Sequence, residues 1–492
     1  MFRFPQQCDF LGGLVAVGLV SGFPAAASEV AKPNILVIVA DDLGWGDLSC
    51  YGQRRWETPN LDRLASRGTL FTQGYMPSAV CSPSRAGMLT GRFPGELGIH
   101  GHLADPGWNK ARGIPDALDP AIATLPRTLQ AEGYRTIHVG KWHLGPYLEK
   151  STQIQDYGFD DVRWPHCYSE DREVSLWSHE NRPRATDELV RATLEAIKQA
   201  HADGKPFYAQ LWLNDPHADL APAAEEIAKF DAPVRDRNLP YTTPFSIYAA
   251  TITTMDRGIG ELLDGLESSG LADNTLVIFT SDNGPEDIEI RSAQWSAAGT
   301  AGPLRGRKRS LYDGGIRVPW IMSWPGHIPE GAVNDTTVIG AVDLFPSLAS
   351  LTDASLADGI SKNFESGGYG GEDLSAVFRG DQTVRRKKPM FWEWREEVVN
   401  HPWNRSPMLA VREGEWKLLL NPDRSRVELY NVAVDPGEQD NLASSHSDIV
   451  ERLAAHALKW QSTLPKGRVD PRAGRNDYPW PKAGNPTPVA VE

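Results

Sequence analysis

The chain has 492 residues, with 50 Lys and Arg against 64 Asp and Glu, and a formal net charge of −14. That length allows a large core and either two domains or one with an appendage. Hydrophobic residues at 40% and charged ones at 23% exclude a mainly disordered chain and a multispan membrane protein. The acidic balance argues against non-specific nucleic-acid binding, which draws on a basic excess to displace phosphate counterions. It leaves room for an anionic substrate, because local Lys, Arg or metal can invert the field inside one cleft.

Residues 1–27 read as an export signal. Arg3 opens it, an apolar run from Phe10 to Val20 follows, and Ala25, Ala26 and Ala27 are small enough for cleavage. The run is too short and glycine-rich to span a membrane. A soluble mature chain, periplasmic or secreted, is expected. Cys8 leaves with the signal, so Cys50, Cys81 and Cys167 remain. An odd number of thiols in an oxidising compartment gives one of them a separate fate.

Asn34–Ala40 is a continuous apolar, β-branched run, the pattern of a parallel strand buried on both faces. Helices are expected at residues 60–67, 84–90 and 125–132, then a weaker strand at 135–139 and a helix at 186–200. A strand at 206–212, a helix at 246–268 and a second clear strand at 275–280 follow. The alternation predicts an α/β sheet covered on both faces. After about residue 375 the pattern changes to short strands at 390–394, 408–412, Trp416–Leu420 and 427–430, then a helix near 449–460. The expected organisation is a large α/β domain at 28–375 and a smaller antiparallel-sheet unit with its tail at 376–492. The Pro- and Gly-rich tail from Pro465 is expected to run over the surface.

In open α/β sheets, ligands bind beyond the carboxyl ends of the strands. Asp41 and Asp42 follow the first strand, and Asp282 and Asn283 follow the strand at 275–280. Three carboxylates and an amide oxygen would make an all-oxygen site for Ca²⁺ or, less often, Mg²⁺. Either acid pair alone reads better as loop solvation or a helix cap, and it is the two strand-end pairs in one sheet that shift the reading toward metal. Lys141 and His143 are two apart after the strand at 135–139 and face one side of an extended chain. His217 follows another strand, and Lys308 sits in a basic run that also suits a surface loop. The most specific segment runs from Cys81-Ser82-Pro83-Ser84-Arg85 to Thr90-Gly91-Arg92. Pro83 places Cys81 at a helix N-terminus, where unpaired N–H groups favour an anion. Arg85 adds a forked donor matched to sulfate or phosphate oxygens.

That segment resembles the signature of type I, formylglycine-dependent sulfatases. Gly140-Lys141-Trp142-His143, Pro216-His217, Ser281-Asp282-Asn283-Gly284 and 304–308 leading into Tyr312-Asp313-Gly314-Gly315 also match, in family order. So do Trp416-Lys417-Leu418, Glu428-Leu429-Tyr430 and Asp435-Pro436. The resemblance implies an alkaline-phosphatase-like fold: a large mixed sheet flanked by helices, with a smaller C-terminal antiparallel sheet plus helix. It implies oxidation of Cys81 to formylglycine by a separate maturating enzyme, and attack of the hydrated aldehyde on sulfur. Asp41, Asp42, Asp282 and Asn283 are implied ligands of one Ca²⁺, with the residue-81 oxygen completing the set. Arg85 would hold the formylglycine hydroxyls, Lys141 and Lys308 the sulfate oxygens. His217 would be the proton donor to the leaving alcohol and His143 the base that regenerates the aldehyde. With Cys81 consumed, Cys50 and Cys167 are left as a candidate disulfide.

The chain departs from the family pattern at Asp219, where Pro is common, and at Arg307 and Arg309, where small residues are common. A further family serine has no secure counterpart, Ser169 being one candidate position. These departures bear on the substrate. Export and an abundance of Trp point to sulfated carbohydrates, and the deep sulfate pocket of the implied fold, which admits a chain end, to exo action with slow turnover of aryl sulfates. Trp177, Trp295, Trp392 and Trp394 lie in segments that could rim a cleft, with a core or domain-contact role the favoured reading for any single one, and His100 and His102 are candidates for substrate contact. The alternatives are a phosphate or phosphonate monoester hydrolase of the same superfamily and a non-catalytic sulfated-glycan-binding protein.

Overall fold

Buried on both faces, the apolar runs have one outlet for their backbone groups: each other. The computed structural model describes residues 32–145, 153–164, 175–230, 244–287, 291–356, 358–366, 370–398 and 401–476. The signal segment, Ser169, and Cys167 with its candidate pairing lie outside these residues. In chain order the strands are β1 (Asn34–Ala40), β2 (Thr69–Tyr75), β3 (Arg135–Gly140), β4 (Asp161–Arg163), β5 (Phe207–Trp212), β6 (Thr275–Ser281), β7 (Arg317–Ser323), β8 (Ala332–Asn334) and β9 (Ile339–Gly340). They form one mixed sheet of order β4-β3-β5-β1-β6-β7-β2-β8, with β9 beside β2. From β4 to β6 all pairings are parallel, whereas β7 runs antiparallel to both β6 and β2.

Alternation along β1 builds two cores. Ile35, Val37 and Val39 face one layer with α2 (Cys81–Thr90) and the helix Leu125–Ala131. Leu36, Ile38 and Ala40 face the other, with α1 (Pro59–Ser66) and the helices Ala185–Ala202 and Pro244–Ser268. Each fully buried aliphatic side chain contributes about 1.5–3 kcal/mol.

The expected strands and helices are present, with ends moved by no more than three residues. β2 and β7 were not foreseen, because Pro319 interrupts one run and Gln73-Gly74 the other. Pro319 lacks an N–H and is tolerated inside a sheet only where no ladder bond needs it. The β2–β7 register shifts there, from Phe71↔Trp320 to Gly74↔Val318, while the β6 ladder stops at Trp320.

A second sheet, β10 (Met390–Glu393), β11 (Leu409–Glu413), β12 (Trp416–Leu420) and β13 (Glu428–Asn431), is an antiparallel meander. One face packs Trp392, Leu419 and Tyr430 on Tyr75, Val80 and Tyr312; the other packs Leu418 and Leu429 on the helix Ser447–Thr463. Trp392 and Trp394 are thus core residues, 1% and 2% exposed, and not a cleft rim. No helix among the described residues is long and apolar enough to cross a membrane.

A buried charge network joins the two sheets. Lys417 Nζ donates to Asp313 Oδ1 at 2.7 Å and lies 2.9 Å from Glu438 Oε1. Asp313 also accepts from Tyr75 Oη at 2.7 Å, and its own N–H donates to Glu438 Oε2 at 2.6 Å. Burial pushes Glu438 up to about 7, Lys417 opposing. Burial pushes Asp313 upward too, but Lys417, Arg317 and Arg412 outweigh it and hold it at about 2. Lys417→Met removes the cation shared by two buried carboxylates, leaving Asp313 with Arg317 at 3.4 Å, and is expected to cost about 3–5 kcal/mol of stability, read from the urea unfolding midpoint.

Candidate active site

β3, β5, β1 and β6 are adjacent and parallel, so their carboxyl ends open on one side. In the β1–β6 register Ala40 stands opposite Ser281, which makes the next residues of each strand neighbours. Asp41 and Asp42 leave β1 there, and Asp282 and Asn283 leave β6. Lys141 follows β3 through Gly140, at φ 99°; a Cβ on that glycine would lie 2.0 Å from the Trp212 carbonyl oxygen. His217 follows β5 on a loop held by Arg182, whose Nη2 donates to the carbonyls of Asn214 at 2.8 Å and His217 at 2.6 Å.

α2 brings the fifth component. Val80 enters it in extended conformation and provides no side-chain cap, and Cys81 lies in the field of Lys141, Lys308, Asp282 and Asp41. Gly91, left-handed at φ 66°, closes its other end. Lys308 arrives on a loop whose Arg309 N–H donates to the Ala79 carbonyl at 2.9 Å, just before Cys81. Asp42, His143 and Arg309 have φ of 65°, 57° and 72°. Left-handed backbone at non-glycine residues costs about 1–3 kcal/mol each, and such strain gathers at functional sites.

The side chains form a closed set of charges. Lys141 Nζ is 2.6 Å from Asp41 Oδ2, and Lys308 Nζ is 2.6 Å from Asp42 Oδ2. Arg85 Nη2 and Nε donate to Asp282 Oδ2 at 2.6 and 2.9 Å, and Nη1 to the Lys141 carbonyl at 3.0 Å. Asn283 Nδ2 donates to Asp42 Oδ1 at 2.7 Å. Arg85, Asp41 and Asp282 are fully buried. His217 Nδ1 donates to the Ala218 carbonyl at 2.6 Å, so Nε2, 3.7 Å from Asp42 Oδ2, is the atom that gains or releases a proton. His143 Nε2 donates to the Leu103 carbonyl at 2.9 Å, which leaves its lone pair on Nδ1.

Burial raises the Cys81 thiol, with Lys141 and Lys308 opposing. Burial and Asp41 push Asp282 up to about 6, with Arg85 opposing. Burial also pushes Asp42 up, but Lys308 and His217 prevail and hold it below the usual carboxylate range. His217 is pushed down to about 3 by burial, with Asp42 pulling the other way. His143 is held well below the histidine range by burial and Lys141.

Two buried oxygens, Asp41 Oδ1 and Asn283 Oδ1, accept no hydrogen bond. Buried acceptors are normally satisfied, so two orphans beside three carboxylates fit a hard cation. Ligand atoms of Asp41, Asp42 and His217 also lie within 4.8 Å of one another.

The structure therefore brings together Asp41, Asp42, Cys81, Arg85, Lys141, His217, Asp282, Asn283 and Lys308, with His143 alongside. His100 and His102 belong to an outer wall. His100 Nδ1 is 3.1 Å from Glu393 Oε2, and His102 Nδ1 is 3.5 Å from Arg112 Nη1. Burial, Arg112 and Arg309 push His102 down to about 3. Trp177 does border the site, its ring 5.3 Å from that of His217 and 5.7 Å from Lys141 Nζ. Sequence reasoning passed over Glu286, which is 3.2 Å from Lys308 Nζ and paired with Arg309. Its signal was present: an acid directly after Ser281-Asp282-Asn283-Gly284-Pro285 and a doubled cation at Lys308-Arg309.

Comparison with known proteins gives a consistent picture. The family model "Sulfatase" matches residues 33–354, and "N-sulphoglucosamine sulphohydrolase, C-terminal" matches 306–462. Arylsulfatase A of Homo sapiens is 30% identical over 496 residues, covering 91% of this chain and 90% of that protein. N-acetylgalactosamine-6-O-sulfatase of Bacteroides thetaiotaomicron is 28% identical, covering 86% and 92%. The crystal structure of Ps i-CgsB in complex with k-i-k-neocarrahexaose aligns with a TM-score of 0.71 at 25% identity, over 88% of this chain and 94% of that one.

Proposed function

This chain belongs to the sulfatase family of the alkaline-phosphatase-like superfamily and is a sulfuric ester hydrolase, and we propose that it cleaves sulfated carbohydrates from a chain end through a nucleophile made from Cys81. The observation that carries this reading is the placement of Cys81 at the uncapped start of α2, under the charge of Lys141 and Lys308. Oxidation of Cys81 to formylglycine would supply a hydrated aldehyde oxygen as nucleophile, and Ca²⁺ held by Asp41, Asp42, Asp282 and Asn283 would supply the charge that polarises it.

The chain's own residues do the rest. Lys141 and Lys308 receive the ester's sulfate oxygens and offset the charge that shifts onto them. Arg85, locked on Asp282, orients the residue-81 hydroxyls. His217 Nε2 delivers a proton to the leaving alcohol, the anionic ester opposing the burial and the lysines that keep it neutral at rest. His143 Nδ1 takes a proton from residue 81 as sulfate departs. Cys81 is 3% exposed, so a separate maturating enzyme must reach it before α2 is buried. A carbohydrate substrate is supported by the sulfatase from B. thetaiotaomicron, named for N-acetylgalactosamine, and by the oligosaccharide bound in the neighbouring crystal structure. Residues 1–27 support export.

Turnover of matched 4-nitrophenyl sulfate and phosphate tests the chemistry. The sulfate is expected to have the higher kcat/KM by about tenfold or more. A preference for phosphate would replace this reading by its superfamily alternative. Peptide mass spectrometry over residue 81 is expected to show aldehyde in place of thiol.

A further inference from the structure

His217 stands on the loop that follows β5, and two of its hydrogen bonds are local to that loop. Nδ1 donates to the carbonyl of the next residue, Ala218, at 2.6 Å, and the His217 N–H donates to the Asn214 carbonyl at 3.0 Å. The first bond sets the tautomer, but both move with the loop and neither decides where Nε2 points. Direction comes from groups on other elements. The backbone is tied down at Asp215, whose carbonyl accepts from the Asp41 N–H at 3.0 Å. Its carboxylate takes Thr186 Oγ1 at 2.6 Å and Arg182 Nη2 at 3.0 Å. The imidazole itself is met by Trp177, edge to face, with the two planes at 84° and the centroids 5.3 Å apart.

Trp177 is held in turn. Residues 175–184 wind into tight turns, the Ser178 N–H donating to the Ser175 carbonyl at 3.1 Å and the Asn181 and Arg182 N–H groups to the Ser178 carbonyl at 3.0 and 2.9 Å. Asn181 Nδ2 adds a bond to the Ser175 carbonyl at 3.0 Å, and Leu176 is buried in the core beneath. The Arg182 guanidinium lies over the indole, 4.5 Å from its centroid. Arg182 Nη2 is spent on the Asn214 and His217 carbonyls and on Asp215, whereas the buried Nε and Nη1 have no hydrogen-bond acceptor among the described residues. An aromatic face is what stabilises a guanidinium in that state. One arginine therefore fixes both the backbone carbonyl of His217 and the ring that stands against its imidazole.

We propose that Trp177, clamped by Arg182, is a positioning residue for proton transfer: it holds the His217 imidazole so that Nε2 faces the leaving oxygen of the ester. This rests on the reading of His217 as the acid. As the S–O bond breaks, its electron pair passes to the alcohol oxygen and the Nε2 proton follows, so Trp177 matters in proportion to that oxygen's need for a proton. 4-Nitrophenolate departs as the anion, whereas a more basic phenolate or a sugar alkoxide needs the acid. A general acid contributes about 10²–10⁴-fold, and a misplacement of about 1 Å forfeits much of it. The test measures kcat/KM on phenyl sulfates from 4-nitrophenyl to 4-methoxyphenyl for the wild type, Trp177→Leu, Trp177→Phe, Arg182→Lys and His217→Asn. Trp177→Leu is expected to lose about tenfold more on the 4-methoxyphenyl than on the 4-nitrophenyl ester, steepening the dependence on leaving-group basicity toward that of His217→Asn. Trp177→Phe keeps an aromatic ring and is expected to restore the wild-type slope; Arg182→Lys loses the planar clamp and is expected to steepen it. Trp177 is partly exposed, and turnover of the 4-nitrophenyl ester reports the folding of each variant within the same assay. An equal loss across the series after Trp177→Leu marks a packing or substrate-binding role and overturns the proposal, as does an unchanged slope in Arg182→Lys. A steep slope for His217→Asn beside an unchanged one for Trp177→Leu overturns the positioning alone. An unchanged slope for His217→Asn removes the acid assignment, and this proposal with it.

Discussion

Cys81→Ala is expected to lower kcat by about four orders of magnitude or more while the protein keeps its fold and still binds sulfated ligands. The size follows from deleting the nucleophile, a loss that neighbouring groups do not make up. Retained folding follows from the site itself: Cys81 begins α2, alanine is the best helix former, and one buried sulfur atom is removed. Retained binding follows from Lys141 and Lys308, which are anchored on Asp41 and Asp42 and do not depend on the thiol. Single-turnover assays and calorimetry on the same preparation read the two quantities separately. Full activity in the alanine variant would remove residue 81 from the chemistry altogether.

Asp282→Ala carries the second large effect, and it combines two losses. Asp282 Oδ2 is the carboxylate for Arg85, and Asp282 Oδ1 accepts from the Asp42 N–H at 3.2 Å. Removing it leaves a fully buried guanidinium with Asp41 at 3.8 Å as its remaining carboxylate, at a cost of about 3–5 kcal/mol. It also removes an oxygen from the expected cation site, so bound Ca²⁺ should fall from about one equivalent to near zero and activity with it. Asn283→Ala separates the two losses. It removes the orphaned Oδ1 without unpairing Arg85, so it should lower metal content with a much smaller drop in unfolding midpoint. Elemental analysis of the purified wild type decides the metal. A stoichiometric transition metal, held through His217, would overturn the all-oxygen assignment.

Much of this site was legible because its supports are buried parallel strands, whose near-continuous apolar runs announce both themselves and the residues that follow them. Asp41, Asp42, Asp282 and Asn283 were located in that way, and Cys81 by the proline and arginine beside it. What sequence hid was pairing. That Lys141 meets Asp41 and Lys308 meets Asp42 depends on contacts across 100 and 266 positions. β2 and β7 escaped notice because a bulge accommodates Pro319, a tertiary solution that no local pattern carries. Trp392 and Trp394 show why core was the favoured reading for any single Trp and the rim stayed open: an aromatic-rich strand looks the same whether its face meets solvent or, as here, another sheet. His100 and His102 could be placed near the chemistry, but their partners Glu393 and Arg112 come from separate parts of the chain.

The Lys417 network also bears on how such a protein can be recombined. Asp313 sits directly behind the loop that presents Lys308 and Arg309, yet Lys417 of β12 delivers countercharge to its carboxylate and Glu438 accepts its backbone N–H. A chimaera that exchanged the C-terminal sheet without matching Lys417 and Glu438 would seat an unbalanced charge under that loop. Fragments divided between β9 and β10 would each expose half of an ionic socket, so they should reassemble as a complementing pair or not at all. Inheritance of the two sheets is thereby coupled through a few buried atoms, however freely the surface of either one drifts.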